Sequence, residues 1–307
     1  MRTLVTGATG FLGRAICSRL ESPVILSRDA VAAKTRLPGA TAHAWDWEQG
    51  APNPEVFHGV ESVIHLAGEP VAEGRWTDEK KRRIRASRRE GTRRLVEGLA
   101  QLPSPPKVLV CASAVGYFGE GGDAELDESS PPGTDFLAGV CVEWEQAALT
   151  AKSLGMRVVC VRIGVVLGGG GGALARMLTP FRMGLGGRLG SGKQWMPWVA
   201  MDDVVGLFLH ALSSPDVEGP MNAVAPTPVT NADFTQALGR AVHRPAILPV
   251  PALALRLALG EMSGVLLGSQ KVIPRRALAS GYVFRQVDLD ACLQAAVTSG
   301  LETKRRA

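Results

Sequence analysis

A short apolar run at the start of the chain leads directly into three glycines at fixed spacing. The run has the composition of a β-strand, and Gly7, Gly10 and Gly13 follow it. An apolar pattern typical of a helix then runs from Phe11 to about Leu20. A strand, a glycine turn and a helix in this order form the phosphate-binding unit of doubly wound α/β domains. The sequence therefore predicts a dinucleotide-binding site here.

Each glycine of this loop has a separate expected role. Gly7 allows a sharp turn, Gly10 allows the backbone to approach a pyrophosphate, and Gly13 allows the helix to pack closely on its strand. The helix N-terminus then offers free N–H groups and a partial positive charge to an anion. We expect the cofactor to contact the whole loop, namely Gly7, Thr9, Gly10, Phe11, Leu12 and Gly13.

The composition is that of an ordinary globular protein. Hydrophobic residues make up 46% and charged residues 21% of the 307 residues, so a large core is expected. The net charge of +5 is a mild excess that would suit an anionic ligand, whereas a nucleic-acid-binding protein would usually show more clustering of charge. The five cysteines are widely spaced and form no C-x-x-C pair, which indicates neither a disulfide framework nor a metal site.

No segment of the sequence predicts export or membrane insertion. Because the first strand is predicted from residue 2, we expect no signal peptide. The most apolar stretch, Val250 to Gly268, is interrupted by Arg256 and Glu261. This stretch is too broken to span a bilayer, so we expect a cytoplasmic protein without membrane contact.

Strand-like and helix-like segments alternate through the first two thirds of the chain. Strands are predicted over residues 2–6, 23–27, 40–45, 62–66, 106–111 and 157–163, and helices near 11–20, 76–100, 136–154 and 202–212. The alternation predicts an α/β fold with a doubly wound parallel sheet and helices on both faces. Ligands of such sheets bind at the carboxyl ends of the strands, where the loops starting at Gly7, Gly68, Ser113 and Gly164 should converge.

The character of the chain changes after these alternating segments. Gly168 to Gly172 is an unbroken glycine run, which fits either a flexible connection or a substrate loop that needs close backbone approach. Thr230 and Asp233 form a capping-box pattern that predicts a helix through Val242, and another helix is predicted near 252–259. We predict a dinucleotide-binding domain over residues 1–217, with 168–200 reaching into a smaller C-terminal substrate lobe over 218–307.

Several further motifs, read together with the glycine loop, resemble one known family. They are His65–Gly68 (HLAG), Ser113–Tyr117 (SAVGY), Arg162–Gly168 (RIGVVLG) and Trp198–Asp203 (WVAMDD). With them the chain resembles the extended short-chain dehydrogenases/reductases. It is most similar to their atypical epimerase family, described as predicted nucleoside-diphosphate-sugar epimerases or cell-division inhibitor homologues. Residues 244–296 resemble the C-terminal signature domain of that family, and the whole resemblance implies a Rossmann-type fold that binds NADP(H).

The residues after the second predicted strand bear on the choice between NAD and NADP. NAD-preferring enzymes usually place an acidic residue there, whereas this chain has Ser27 and Arg28. A guanidinium at this place can pair with the 2′-phosphate of NADP through charge-assisted hydrogen bonds. Asp29 lies past the expected strand end and is expected to face solvent. We therefore predict that Ser27 and Arg28 bind NADP(H).

The resemblance implies further cofactor contacts at the ends of other strands. The HLAG motif is expected against the adenosine half, although a histidine at a strand end can equally be structural. Asp46 ends the third predicted strand, where related folds contact the adenine. The contacts predicted in this group are His65, Leu66, Ala67, Gly68 and Asp46.

The predicted helix over residues 76–100 is strongly basic. Most of its lysines and arginines are expected to form a solvated face that nearby acidic residues balance in part. The string from Ile84 to Arg88 resembles the same subfamily and favours a different role for Arg88, in which it turns toward the cofactor. Nucleic-acid binding through this helix is a weaker alternative, and we expect no nucleic-acid partner.

The proton-transfer pair of ordinary family members is absent from this chain. Those enzymes use a Tyr-x-x-x-Lys motif, in which the tyrosine shuttles a proton and the lysine holds the nicotinamide ribose. The chain has two tyrosines, Tyr117 and Tyr282, and neither has a lysine four residues later. Alignment with the family puts Leu137 in the tyrosine position and Cys141 in the lysine position. Cys141 could contact the ribose there or be a buried structural thiol.

Two residues remain as candidates for catalysis. Ser113 lies one position before the usual active-site serine, whose place Ala114 takes. Tyr117 follows on the loop from the fifth predicted strand and is the best remaining proton donor, unless it forms a wall of the pocket. We interpret the chain as an NADP(H)-dependent oxidoreductase or epimerase acting on an unknown small organic substrate. A non-enzymatic NADP(H)-binding sensor or regulatory protein is the alternative.

Overall fold

Seven parallel strands form the central sheet of the protein. The computed structural model describes residues 1–306, with side chains through residue 300. In chain order the strands are β1 (Thr3–Thr6), β2 (Val24–Ser27), β3 (Thr41–Ala44), β4 (Ser62–His65), β5 (Val108–Ala114), β6 (Glu125–Leu126), β7 (Arg157–Ile163), β8 (Val165–Leu167), β9 (Trp195–Met196), β10 (Trp198–Ala200), β11 (Gly219–Ala223), β12 (Val229–Thr230) and β13 (Lys271–Val272). The sheet order is β3–β2–β1–β4–β5–β7–β11, and every neighbouring pair is parallel. The strand order therefore reverses between β1 and β4, which is where such sheets open a crevice for ligands.

Helices cover both faces of this sheet. They are α1 (Phe11–Cys17), α2 (Ala30–Arg36), α3 (Asp78–Ala100), α4 (Phe136–Leu149), α5 (Gly172–Arg182), α6 (Met201–Ser213), α7 (Asn231–Ala241), α8 (Ala252–Leu259), α9 (Ser263–Leu267), α10 (Arg275–Ala279) and α11 (Leu289–Arg306). Right-handed crossovers through α1 and α3 start on opposite sides of the β1–β4 switch, so these two helices lie on opposite faces. α1 packs beside α6 and α3 beside α4. Strands covered on both faces carry nearly continuous apolar runs, as β5 and β7 do.

The apolar side chains form two large cores. The first lies between the central sheet and its helices, with Leu4, Ile25 and Ile64 fully buried. The second joins residues from β8 to β10 with α7 and α11, and buries Trp198 and Leu293. The second core is the centre of a smaller lobe beside the sheet.

The C-terminal segment runs back across the first lobe. β13 pairs with β6, and Gln270 Nε2 donates to the carbonyl oxygens of Val115 (3.0 Å) and Gly119 (2.8 Å). Asp203 of α6 then accepts hydrogen bonds from the backbone N–H groups of Arg285 (2.8 Å) and Gln286 (2.9 Å). These bonds fix the segment on the loop that follows β5 and on α6.

The predicted doubly wound sheet is confirmed, and all six predicted strands are present. The sequence missed β11, because Gly219 and Pro220 have low strand propensity and Pro is tolerated only at a sheet edge. β11 completes one edge of the sheet. The central sheet therefore extends beyond the predicted domain boundary at residue 217.

The predicted helices are present with some changes at their ends. α1 ends at Cys17 instead of about Leu20, and the helix predicted over 136–154 becomes α4 followed by a 3₁₀ turn, Thr150–Leu154. The capping box at the start of α7 is confirmed, since Thr230 and Asp233 each accept the other's backbone N–H. None of the helices that the structure describes has the length and hydropathy of a membrane span.

Candidate functional site

The glycine loop after β1 makes a tight turn beneath α1. Gly7 has a φ of +67°, and an added Cβ would lie 2.8 Å from the carbonyl carbon of Leu66. A Cβ at Gly13 would lie 2.7 Å from Cα of Ala8. A Cβ at Gly10 would meet only the Gly7 carbonyl oxygen, at 3.2 Å. Gly7 and Gly13 are thus required for packing, whereas Gly10 leaves open space on the side of its missing Cβ.

The first turn of α1 supplies hydrogen-bond donors beside that space. Gly10 is the N-cap, and the N–H of Arg14 is the first to bond back into the helix, to the Gly10 carbonyl at 3.0 Å. The N–H groups of Phe11, Leu12 and Gly13 therefore have no acceptor within the helix. Free backbone donors next to an open space are what a bound pyrophosphate requires.

The glycine run at residues 168–172 packs on the ring of Phe11. An added Cβ would lie 2.5 Å from this ring at Gly171 and 2.8 Å at Gly172. A Cβ at Gly169 would lie 2.6 Å from the backbone nitrogen of Gly300 in α11. The run therefore makes a close backbone approach, and its partners are Phe11 and α11 of the protein itself.

Arg28 follows the carboxyl end of β2 and is exposed. Among the side chains that the structure describes, no carboxylate forms an ion pair with it. Its charge is nevertheless felt by Glu69, whose pKa is lowered by a hydrogen bond to Lys80, by the charge of Arg83 and by that of Arg28. The exposed guanidinium of Arg28 can pair with an anion, and its contact with the 2′-phosphate stays a prediction.

The two aspartates predicted near this edge act as helix caps. Asp29 is exposed, as expected, and its Oδ1 accepts the N–H of Ala32 at 2.9 Å at the start of α2. Asp46 Oδ1 accepts the N–H of Glu48 at 3.1 Å in the 3₁₀ turn after β3. Both carboxylates therefore have structural partners, and the contact of Asp46 with the adenine stays a prediction.

His65 ends β4 with its side chain fully buried. Its Nδ1 lies 2.7 Å from Oγ1 of Thr6, and its Nε2 lies 3.0 Å from Oγ1 of Thr92. Burial, and then the charge of Arg88, lower the pKa of His65 to about 4, so the ring is neutral at pH 7. The His65 side chain is thus structural, and a cofactor contact at this position would come from the backbone.

Arg88 turns inward from α3 toward the loop after β4. Its Nη1 donates to the carbonyl oxygens of Glu69 (3.0 Å) and Ile84 (3.2 Å). Its guanidinium carbon lies 4.9 Å from the ring centroid of Trp144 and 3.2 Å from where a Cβ at Gly68 would be. Arg88 therefore packs against the HLAG loop and hydrogen-bonds the residue that follows it. Its own contact with the cofactor stays a prediction.

The other basic residues of α3 are largely paired with carboxylates. The pairs are Lys80 and Arg83 with Glu69, Lys81 with Glu261, Arg85 with Glu143, Arg89 with Glu90, Arg93 with Glu90 and Glu97, and Arg94 with Glu97. This pairing is that of a balanced, solvated face. It does not favour nucleic-acid binding through α3.

α4 passes the loop after β5, at the place of the missing tyrosine and lysine. A Cβ added at Gly116 on that loop would lie 3.4 Å from Leu137 Cβ and 3.8 Å from Cys141 Sγ. Leucine has no proton to transfer, and burial raises the pKa of the Cys141 thiol to about 11. Neither residue can therefore replace the lost pair at neutral pH, and a ribose contact by Cys141 stays a prediction.

A buried ion pair lies beneath the same loop. Arg162 of β7 donates to both carboxylate oxygens of Glu145 of α4, at 2.8 and 2.9 Å. Ser113 is buried, and its hydroxyl donates to the same carboxylate at 2.7 Å. Ser113 therefore faces inward, and its predicted catalytic role gains no support from this position.

Tyr117 lies on the 3₁₀ turn Val115–Phe118 and is half-buried. The guanidinium carbon of Arg162 lies 3.4 Å from its ring centroid. Glu145 and Arg162 are thus part of the site, although the sequence analysis gave neither a role. The signal that could have found them is a charged residue inside an otherwise apolar strand or helix.

The fold and the glycine loop together define a dinucleotide-binding protein of the doubly wound α/β class. The chain belongs to the NAD dependent epimerase/dehydratase family, whose model matches residues 3–224. Residues 250–296 match a second family, described as a domain of unknown function (DUF1731). The resemblance derived from the sequence motifs is thereby confirmed.

Named relatives match the chain over most of its length. The human epimerase family protein SDR39U1 is 40% identical over 299 residues, which are 96% of this chain and 99% of the human protein. The chloroplastic SDR39U1 homologue of Arabidopsis thaliana is 41% identical over 297 residues, which are 93% of this chain and 83% of that protein. The crystal structure of human SDR39U1 (isoform2) with NADPH superposes with a TM-score of 0.85 at 36% identity, covering 97% of this chain and 99% of that one.

Proposed function

We propose that the protein is an NADP(H)-dependent oxidoreductase or epimerase that acts on a small organic substrate. The observation that carries this proposal is the cradle at Gly10, where free space meets unpaired N–H donors. Arg28 adds an exposed guanidinium where we propose that the 2′-phosphate binds. The NADPH in the crystal structure of the human relative supports the same choice of cofactor.

The residues of the chain would bind and orient the cofactor, whose nicotinamide supplies or accepts a hydride when bound. In this proposal Gly7–Gly13 holds the pyrophosphate and Arg28 holds the 2′-phosphate. The backbone of residues 65–68, braced by Arg88, holds the adenosine half. Binding both reactants in one crevice provides the orientation from which much of the rate would come.

Tyr117 is the group proposed to move a proton at the substrate oxygen. Its phenol can donate a proton to an oxygen that gains negative charge, and can take the proton back when the reaction reverses. The second tyrosine is placed differently, because Tyr282 donates to Asp203 at 3.1 Å. Burial, and then the carboxylate of Asp203, raise the pKa of Tyr282, so it is a poor proton donor.

The alternative is an NADP(H)-binding sensor or regulatory protein without catalysis. Alignment with the family puts Leu137 and Cys141 in the positions of the ordinary proton-transfer pair, and the hydroxyl of Ser113 donates to Glu145. These observations favour the sensor. In that case the smaller lobe would recruit a partner when the cofactor is bound.

Location and partners belong to the same proposal. We propose a cytoplasmic protein, although the Arabidopsis relative is described as chloroplastic. The partner we propose is a small-molecule substrate, and the paired basic residues of α3 do not favour nucleic acid.

Conversion of a substrate separates the enzyme from the sensor. The purified protein is mixed with NADPH and a panel of ketones and aldehydes, and separately with NADP⁺ and a panel of nucleoside-diphosphate sugars. Cofactor oxidation, cofactor reduction and sugar isomers are measured. An enzyme converts at least one compound, and a Gly10→Val control converts none. Tight NADPH binding by titration calorimetry, with no conversion of any compound, would support the sensor instead.

A further inference from the structure

Tyr117 is held against a buried cation that the ordinary family mechanism does not use. The guanidinium carbon of Arg162 lies 3.4 Å from the centroid of the Tyr117 ring. Phe118 meets the same ring edge to face, with 5.4 Å between centroids. Contacts on two sides therefore fix the ring.

Glu145 fixes the guanidinium of Arg162 in turn. Each carboxylate oxygen accepts one N–H of Arg162, at 2.8 and 2.9 Å. The side chain of Glu145 is 8% exposed and that of Arg162 is 3% exposed. Burial opposes the charge on Arg162, but the hydrogen bond to Glu145, the charge of that carboxylate and the interaction with Tyr117 together outweigh burial and raise the pKa of Arg162. The planar guanidinium fork matches a carboxylate in a way that a lysine cannot.

A buried ion pair of this kind is costly to maintain. Removing a charge from water costs several kcal/mol per ion, on the order of what the pairing returns, and well-packed apolar replacements are often as stable or more stable. Stability alone therefore does not account for Glu145 and Arg162. The group beside them that chemistry could use is the phenol of Tyr117.

We propose that Glu145 and Arg162 form a positioning pair that sets the place and the ionisation of the Tyr117 hydroxyl. This inference rests on the proposed role of Tyr117 as proton donor. Arg162 holds a positive charge against the ring, which favours the phenolate that forms when Tyr117 gives up its proton. Glu145 keeps that charge in place and limits its strength. Neither residue needs to touch the substrate.

Three titratable groups on the elements near the loop of Tyr117 have partners or are neutral. The carboxylate of Glu128 accepts two backbone N–H groups, and its carbonyl oxygen lies 3.4 Å from Nη1 of Arg162. Lys271 of β13 pairs with Glu125 of β6 at 3.2 Å. Cys141 is neutral near pH 7, because burial raises its pKa to about 11. The positioning pair thus supplies two opposite charges that can be removed one at a time.

A tyrosinate titration tests this proposal without substrate or cofactor. In a Tyr282→Phe background Tyr117 is the single tyrosine of the chain, so the ultraviolet absorbance of tyrosinate reports it alone. Arg162→Met leaves Glu145 unbalanced and should move the midpoint to higher pH. Glu145→Gln leaves Arg162 unbalanced and should move it to lower pH, each by about one pH unit or more.

Shifts in opposite directions support the proposal, whereas shifts in one direction, or none, overturn it. A pair that only held the structure together would change the surroundings of Tyr117 in the same way whichever partner was removed. The titration does not depend on turnover. A protein that converts no substrate but shows the opposite shifts would refute the proposed enzyme and keep the positioning pair.

A double variant covers the case in which a single substitution prevents folding. Arg162→Met with Glu145→Met replaces the ion pair by apolar groups, a change that commonly preserves stability. We expect this variant to bind NADPH as the parent does. Its tyrosinate midpoint should rise, because the cation against the ring is gone, and a midpoint equal to that of the parent would overturn the proposal.

Discussion

The two sides of the proposed ligand crevice differ in what forms them, which is backbone on one side and buried side chains on the other. On the side of β1, Gly7 and Gly13 are packed so closely that no side chain fits, and N–H donors face open space at Gly10. On the side of β5 and β7, the site consists of buried side chains, and Arg162 lies between Glu145 and the ring of Tyr117. The first side binds by backbone shape. The second depends on a few charges in a low dielectric.

This difference determines what each side can tolerate. A backbone cradle fails when volume is added, whatever the charge of the new side chain. A buried polar network tolerates changes of shape better than the loss of one partner, which leaves a charge unpaired. One side can therefore keep its cofactor loop while the other side changes its chemistry.

The largest expected effects come from valine substitutions at two glycines of the β1 side, Gly13 and Gly10, which should fail in different ways. Gly13→Val should destabilise the fold by about 3 kcal/mol or more, because its Cβ would lie 2.7 Å from Cα of Ala8. Gly10→Val should fold, since its Cβ meets only the Gly7 oxygen at 3.2 Å, but should lose NADPH binding. Thermal unfolding and titration calorimetry measure both effects. Unchanged NADPH affinity in folded Gly10→Val would rule out the cradle.

A second test sharpens the contrast through pH, because His65 is a neutral group buried on the β1–β4 side. Its pKa is lowered from 6.5 to about 4 by burial and then by Arg88, so the unfolded chain binds a proton that the folded chain does not. The contribution of His65 to the free energy of unfolding should be fully present above about pH 6.5. It should fall as the pH drops toward 4, by about 3 kcal/mol in all. Urea unfolding across this range measures the loss. His65→Gln should flatten the profile, and the same slope in that variant would assign the loss to another group.

Much of the fold could be predicted because its signals are local. Continuous apolar runs identify β1, β2, β4 and β7, and the capping box at Thr230 identifies the start of α7. β11 escaped because Gly219 and Pro220 break the strand pattern, and only pairing with β7 makes it a strand. The glycine run at 168–172 was ambiguous, because its packing partner Phe11 lies far away in sequence.

The same reason divides the candidate site. The cradle is contiguous in sequence, so its glycine spacing could be interpreted directly. Glu145 and Arg162 lie 17 residues apart on α4 and β7, and they meet only in the folded protein. The buried place of Ser113 and the paired side chain of His65 likewise depend on partners that no local pattern reveals.

A third test concerns the side built from side chains, where loss of one hydroxyl should stop chemistry without affecting binding. Tyr117→Phe should lose roughly 10²-fold in turnover once a substrate is found, since a positioned proton donor contributes about that factor. NADPH affinity should not change, because the cradle lies on the other side. Tyr282→Phe is the matched control and should keep its turnover. Full activity in Tyr117→Phe would remove Tyr117 from the mechanism and leave proton transfer to water or to the substrate itself.

The smallest expected effect concerns the choice between NADPH and NADH on the β1 side, where we expect one side chain to set the preference. Arg28→Asp should cost NADPH about 2 kcal/mol more binding free energy than NADH, because a charge-assisted partner of the 2′-phosphate becomes a repulsive carboxylate. Arg36→Asp makes the same change of charge at the far end of α2, where the side chain is also exposed. Dissociation constants of both cofactors for both variants decide the matter. Equal losses of NADPH and NADH in Arg28→Asp would show that it does not contact the 2′-phosphate, and an equally selective loss in Arg36→Asp would attribute the preference to net charge. A selective loss in Arg28→Asp alone would mean that the backbone sets where the cofactor lies and one arginine sets which cofactor it is.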